Sequence, residues 1–576
     1  MLKPSVKQDV SEYSAGRRWY HPSLAGLLFG GLLCALTFMP SLVPRPWLFQ
    51  AILTGFSFAL GYGLGLIMSW LWRFMELPTI RHRWRPGLFW ILVTFIVVYL
   101  AFHLWHASDW QNSTRQLMGM SPVESDYYVR IVLVAVGVAV LLLLLGTGLA
   151  WGIRAAAAFP RRYIRRRVAS LVGVVVFLAL LVNAVNGTLV SYAITAVDQV
   201  QASVDISDPP GAEPPAQDTR SGSADSLITW DLLGKAGKLY VDQGPRAADI
   251  TAFSGQPARE PIRAYVGLRS ADETEQQAEL ALRELQRTGA FSRELLVIAT
   301  PTGTGWLQNG ALAPLEYMYG GDTAIVGVQY SYLPSPFSLV LEPGRAQESA
   351  SIVFNVIYEY WKTLPQAERP RLYLFGLSLG SLGSENSAPL NAFINHPIQG
   401  AVWAGPTFRN RMWRRIQSRP HGNSPAWQPE FEDGSLVRVF GPQGQRHVES
   451  QEWGPVRIAY VVNPSDAISF FNERMWYREP NWMKPPRGPD VSPLFEWVPV
   501  VSFFEVAMDM LSAGDTPPGH GHNYSVGEYT QAWAAVTDPR GWKPQDSERL
   551  VDFMSSGQTG TEENDESESD VKVGSY

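Results

Sequence analysis

The sequence predicts a multi-span α-helical membrane region followed by an α/β domain with a mainly parallel sheet and helices on both faces. Three observations carry this. Long apolar runs dominate the first third of the 576 residues. From Ile262 onward, short β-branched and aromatic runs alternate with helix-length segments. Between these parts lies a stretch rich in Pro, Ser and Asp, which reads as a linker.

Five apolar runs are long enough to cross a bilayer, at about 20 residues each. They are Leu24–Val43, Trp47–Trp72, Leu88–Trp105, Ile131–Ile153 and Ala169–Leu189. "RIVLVAVGVAVLLLLLGTGLAWGI" has no polar face to turn toward water. The segments between runs alternate in Lys and Arg. The tail before the first run holds Lys3, Lys7, Arg17 and Arg18, whereas the first loop holds only Arg45. The second loop has Arg73, Arg81, Arg83 and Arg85; the third has Arg115, with Arg130 at its edge; the fourth has six arginines between Arg154 and Arg167. Positive charge stays on the cytoplasmic side. That rule places the N-terminus in the cytoplasm, and five spans place the domain after Leu189 outside the cell membrane. Asn183 and Asn186, one helical turn apart, suit hydrogen bonding between helices. The span interiors lack acidic residues, which argues against an ion or proton pathway.

The expected organisation is a membrane region over 1–198, a linker over 199–226, the α/β domain over 227–554 and an acidic disordered tail over 555–576. The tail contains "EENDESESD" from Glu562 to Asp570. The net charge of -6 includes no basic stripe, so no nucleic-acid partner is expected. The single cysteine, Cys34, rules out an intramolecular disulfide and a cysteine metal site.

Within the α/β domain, strands are expected at Ile262–Leu268, Glu294–Thr300, Thr323–Tyr330, Arg371–Gly376, Gly400–Gly405 and Val456–Val462, with a shorter one at Leu436–Phe440. Continuous apolar runs of this kind suit buried parallel strands. Ser270 and Glu273 suggest a capping box for a helix whose apolar face is Ala278, Ala281, Leu282 and Leu285, and Gly289 is placed to end it. Insertions at 405–456 and 474–511 are rich in Trp, Arg and Pro and suit a cap over a site. The helix-like run Pro493–Leu511 is apolar enough to line an acyl pocket, touch a bilayer or pack on the sheet.

The strand "RLYLFG" runs into Gly376-Leu377-Ser378-Leu379-Gly380. A G-x-S-x-G pentapeptide is weak by itself. After a buried strand and before a helix start it has the context of a nucleophile elbow, presenting Ser378 at a helix N-terminus. A serine hydroxyl needs a base. "PPGHGHNY" supplies His520 and His522 near the end of the domain; His522 is favoured as base, with His520 as the alternative. No Cys or nearby carboxylate makes the two histidines a metal pair. Asp466, in the turn after Val462, is the expected orienting acid, with Asp515 in reserve. The order Ser378, Asp466, His522 is that of α/β-hydrolases. An oxyanion would need the N–H of Leu379 and donors from "PTGTGW", with Thr302 and Gly303 the choices.

The segments "SLVPRPWLFQ", "TPTGTGW", "GLSLGSLGSE" and "PPGHGHNY" together resemble a bacterial family of membrane-anchored α/β-hydrolases. The resemblance covers nearly the whole chain and implies the fold and a Ser-Asp-His site formed by Ser378, Asp466 and one of His520 or His522. It does not imply a substrate. Glu385, seven residues after Ser378, is expected to serve structure. The leading expectation is a membrane-tethered serine esterase or lipase acting, without a cofactor, on an ester of a lipid or cell-envelope component. An acyltransferase with the same triad, and a non-catalytic hydrolase-fold receptor or assembly protein, are the alternatives.

Overall fold

The computed structural model describes residues 23–78, 84–123, 127–158, 200–388, 395–422, 424–445 and 452–562, with scattered residues between 160 and 179. The chain divides into two units, Met1–Leu180 with Ser492–Met508, and Leu181–Val491 with Asp509–Tyr576.

In the first unit, three helices among the described residues are long and apolar enough to cross a membrane: Trp47–Phe74, Pro86–Leu117 and Tyr128–Ala158. They mark the chain as a membrane protein. The first expected span is shorter than its apolar run. Its helix covers only Leu24–Leu36, because the chain turns at Thr37 and then enters "SLVPRP", where proline cannot continue a helix. The third is longer than expected, extending to Leu117 through polar residues. The fifth expected span, with Asn183 and Asn186, falls largely outside the described residues. Helices Leu24–Leu36 and Trp47–Phe74 meet backbone to backbone. A methyl group on Gly61 would overlap the Phe29 carbonyl, and one on Gly65 the Ala25 carbonyl. Small residues four apart are how apolar helices approach closely in lipid. At one end, Gln50 Nε2 donates to the Thr37 carbonyl (2.9 Å) and to Thr54 Oγ1 (3.1 Å), and Arg45 donates to Gln50 Oε1 (3.2 Å). These contacts give "SLVPRPWLFQ" a structural use.

The run Pro493–Leu511 is not one helix. The helix covers Val501–Ser512, and Pro499 and the positive φ of Val500 (68°) end the irregular stretch before it. Residues Ser492–Met508 group with the membrane helices: the Phe504 ring meets Phe56 edge-on at 5.0 Å, and Ser492 Oγ lies 2.8 Å from Ser113 Oγ.

Among the described residues, the second unit is built on eight strands in the order β1-β3-β2-β4-β5-β8-β6-β7. They are β1 (Ile262–Val266), β2 (Leu295–Thr300), β3 (Thr323–Val328), β4 (Arg371–Leu377), β5 (Gly400–Ala404), β6 (Val437–Gly441), β7 (Gly444–Gln445) and β8 (Arg457–Val461). All pairings are parallel except β6 with β7. Every residue of β1, β2, β3 and β5 is buried, as continuous apolar strands require. Helix Thr274–Arg287 buries Ala278, Ala281 and Leu285 and gives way to Gly289 at φ 71°. Its capping box does not form. Ser270 ends a separate 3-10 turn, Leu268–Ser270, and the helix starts four residues later.

The stretch expected as a linker is partly folded. Residues 219–221 run parallel to β1, with Ser221 N–H donating to the Arg263 carbonyl at 3.0 Å. Arg220, with no exposed surface, donates to the carbonyls of Val241 (2.6 Å) and Pro245 (2.7 Å) and pairs with Glu260 (3.0 Å).

Next to it, Arg263 on β1 pairs with Glu316 at 2.6 Å, both side chains fully buried. Removing one partner of such a pair leaves an uncompensated charge. Glu316→Ala should therefore destabilise the full chain in detergent by about 3–5 kcal/mol, read from denaturant unfolding by tryptophan fluorescence. A loss under about 1 kcal/mol would show that the pair carries little.

Candidate active site

β4 ends at Leu377, and helix Leu379–Ser387 begins two residues later. Ser378 joins them at φ 57°, ψ -122°, a strained conformation for a residue with a side chain. The turn is tight enough that a methyl on Gly380 would overlap the Thr300 carbonyl at the end of β2. Ser378 N–H donates to the Ala404 carbonyl at the end of β5, at 3.0 Å. Leu379 and Leu382 seat the helix in an apolar cluster with Tyr330, Leu339 and Ala346. Leu379 N–H heads this helix, so it has no intrahelical acceptor.

The turn after β8 places Asp466 at the N-cap of a short helix, Ala467–Phe470. Its Oδ1 accepts from the N–H groups of Ile468 (2.9 Å) and Ser469 (3.3 Å). Its Oδ2 lies 2.8 Å from His522 Nδ1, 2.7 Å from Ser469 Oγ and 2.5 Å from Tyr524 Oη. Burial by itself would raise the Asp466 carboxyl. The His522 charge and the hydrogen bonds from His522, Tyr524 and Ser469 outweigh burial and hold it below the usual carboxylate range.

His522 Nε2 is buried and has no hydrogen-bond partner among the described residues. The imidazole lies against Gly405, where a methyl group would overlap His522 Cε1. Gly405 directly follows Ala404, the residue that receives the Ser378 N–H. The same strand end thus meets both Ser378 and His522.

His520 goes elsewhere. Its Nδ1 lies 3.1 Å from Asp490 Oδ2. Asp515 is exposed at the end of a 3-10 turn. The Thr302 and Gly303 expectation needs correction. Thr302 N–H donates to the Trp306 carbonyl (3.0 Å) and Gly303 N–H to Ser335 Oγ (3.1 Å), so neither is open to an oxyanion. The glycines of this loop serve its folding instead: Gly305 N–H closes a turn onto the Thr302 carbonyl (3.0 Å), and Gly303 lies against the Leu333 carbonyl. Glu385 accepts from Tyr460 Oη (2.7 Å), Asn410 Nδ2 (2.9 Å) and Met412 N–H (2.8 Å), tying β8 to the insertion after β5.

Sequence reasoning missed Ser469, Tyr524 and Asp490. Ser469 carried a signal, since an Asp-x-x-Ser start invites an N-cap. Tyr524 lies within "PPGHGHNY" but had no role assigned, and Asp490 carried no signal; only the folded chain brings Tyr524 to Asp466 and Asp490 to His520.

Comparison with protein families matches residues 262–550 to an alpha/beta-hydrolase family and residues 38–245 to the N-terminal region of an alpha/beta-hydrolase family. The chain belongs to this alpha/beta-hydrolase family. No curated protein and no solved structure matches it.

Two outcomes follow from the geometry. A side chain at Gly405 must displace the His522 ring, so Gly405→Ala should slow fluorophosphonate labelling of the full chain at least about 100-fold, in line with the cost of a 1 Å misplacement. An unchanged rate would mean that the ring does not act from this position.

The second outcome concerns Glu528, which caps helix Val526–Thr537 behind the histidine loop. Burial first, and then the Asp490 charge, push its carboxyl up from 4.5 to about 7, against the hydrogen bonds from Ser525. The folded chain therefore keeps a proton that the unfolded chain releases. This stability is full below pH 4.5 and is lost as pH rises through about 7. Glu528→Gln should flatten that part of the stability–pH curve, and equal slopes in both forms would contradict the assignment.

Proposed function

We propose that the chain is a membrane-bound serine hydrolase of the esterase or lipase type. Its substrate is an ester of a lipid or cell-envelope component, cleaved at the outer face of the cytoplasmic membrane. The observation that carries this reading is His522, with Nδ1 on a buried carboxylate and a bare Nε2, packed on the strand end that holds Ser378.

In the proposed reaction His522 Nε2 takes the Ser378 proton as Oγ attacks the ester carbonyl carbon. The charged Asp466 stabilises the imidazolium, and its bond to Nδ1 fixes the tautomer that leaves Nε2 unprotonated. Leu379 N–H faces the developing oxyanion, at the end of a helix dipole that favours negative charge. The imidazolium returns its proton to the departing alcohol. Water, deprotonated by the same Nε2, then attacks the acyl carbon; the bond to Oγ breaks, the acid departs and the imidazolium returns its proton to Ser378 Oγ.

The position outside the membrane is supported by the alternation of Lys and Arg between the apolar runs. The amphiphilic substrate is supported by the membrane helices on the same chain.

A membrane-impermeant fluorophosphonate applied to intact cells expressing the full chain should label it, and Ser378→Ala should abolish labelling. Asp466→Asn should lower kcat by about 10³–10⁴ with the fold intact. Lipid extracts should show free acid that Ser378→Ala does not produce. Labelling only after lysis would overturn the orientation, and labelling that survives Ser378→Ala would overturn the nucleophile. A new ester of an added alcohol in place of free acid would make the chain an acyltransferase.

A further inference from the structure

We propose that a second histidine–aspartate pair, His520 with Asp490, acts through Ser465 to position His522, so that His520 is a positioning residue and not a spare base. The proposal rests on the reading of His522 as the base.

His522 sits on an irregular loop, 516–524, and its ring has little side-chain freedom of its own once Nδ1 is bound. The ring goes where the loop backbone goes, and the residue that sets that backbone is Gly521. Its φ of 52° and the approach of Ala513 O and Thr516 Oγ1, each 2.6 Å from where a methyl would lie, admit only glycine. A glycine there is a flexible link, so its place must be held from outside.

It is held by the turn that carries Asp466. Asn463 Nδ2 donates to the Gly521 carbonyl at 3.1 Å, and Gly521 N–H donates to Ser465 Oγ at 2.8 Å. The Ser465 hydroxyl, having accepted that bond, must direct its own proton elsewhere. It donates to Asp490 Oδ2 at 2.5 Å. The same Oδ2 receives His520 Nδ1 at 3.1 Å. Ser465 has no exposed surface, and Asp490 is 4% exposed. The chain of bonds runs Gly521 N–H to Ser465 O–H to Asp490 Oδ2, the oxygen that His520 Nδ1 also meets. An anionic acceptor at the end polarises the hydroxyl and strengthens its hold on Gly521. The result is that residues on both sides of Asp466 along the chain, Ser465 and Ser469, fix the same histidine, one through the backbone of its neighbour Gly521 and one through its carboxylate partner.

The test measures kcat and KM of the full chain in detergent with p-nitrophenyl butyrate, alongside the rate of fluorophosphonate labelling. Asp490→Ala and Ser465→Ala should each lower kcat and the labelling rate about 10- to 100-fold, with KM within about twofold, because the ester-binding surface is untouched. His520→Ala should lower kcat by a smaller factor in the same direction. His520→Asn, whose amide can occupy the place of Nδ1 and donate to Asp490, should restore most of the loss. Rescue separates positioning from catalysis, since an amide cannot replace a general base. Wild-type kcat in Asp490→Ala and Ser465→Ala would overturn the proposal. So would a loss in His520→Asn as deep as in Ser378→Ala, which would make His520 the base. An equal rise in KM with no change in kcat would place these residues in substrate binding and also overturn it. If the wild-type chain itself neither labels nor hydrolyses, the failure belongs to the serine-hydrolase reading and is distinguishable from all of these.

Discussion

Asp466 holds a carboxylate with no exposed surface, and five hydrogen bonds converge on it from Ile468, Ser469, His522 and Tyr524. Taking a charge out of water costs several kcal/mol unless every lone pair finds a donor. The turn after β8 solves this locally, because an N-cap aspartate collects two backbone N–H groups without help from elsewhere. Those two bonds fix Oδ1, and in doing so they aim Oδ2. The remaining three donors then compete for one oxygen, and only a narrow placement of the His522 ring, the Tyr524 ring and the Ser469 hydroxyl satisfies all of them. Neutralising one buried charge thus constrains the histidine ring from its Nδ1 side.

The parallel sheet explains why these groups meet at all. β4, β5 and β8 are consecutive neighbours, and they deliver Ser378, Gly405 and Asp466 from their C-terminal ends. Residues far apart in sequence arrive side by side because parallel strands point the same way. The elbow at Ser378 adds a backbone strain that the flanking packing must hold, and Leu379 and Leu382 in their apolar cluster supply it.

Much of this was legible beforehand. The strand run ending at Gly376 and the G-x-S-x-G spacing are local patterns, and local patterns survive folding; Asp466 and His522 were paired by chain order alone, and across 56 residues the fold brings His522 Nδ1 to 2.8 Å from Asp466 Oδ2. Thr302 and Gly303 show the limit. A glycine-rich loop can expose its N–H groups or use its freedom to turn on itself, and only the neighbours Trp306 and Ser335 decide which. The residues around Arg220 show the same limit from the other side. Their Pro and Ser content reads as a tether, yet one arginine with five carbonyl and carboxylate acceptors at hand is enough to dock a polar segment on a sheet edge. Tyr524 and Asp490 were given no role because their partners lie 58 and 30 residues away and neither residue belongs to a motif that assigns it one.

Chain order also bears on how the two units are assembled. Asp490 closes the bonds that hold Gly521, and Ala513 O receives the His522 N–H at 2.7 Å. Between Asp490 and Ala513 the chain runs through Ser492–Met508, which groups with the membrane helices. The two backbone stretches that fix the histidine loop are therefore the ones where the chain leaves the hydrolase unit and returns to it. A single cut before residue 199 would not divide the molecule into its two units, because Ser492–Met508 would lose Phe56 and Ser113, the groups it packs against. The apolar helices of the first unit thus pack on a segment that lies, in chain order, between Asp490 and Ala513.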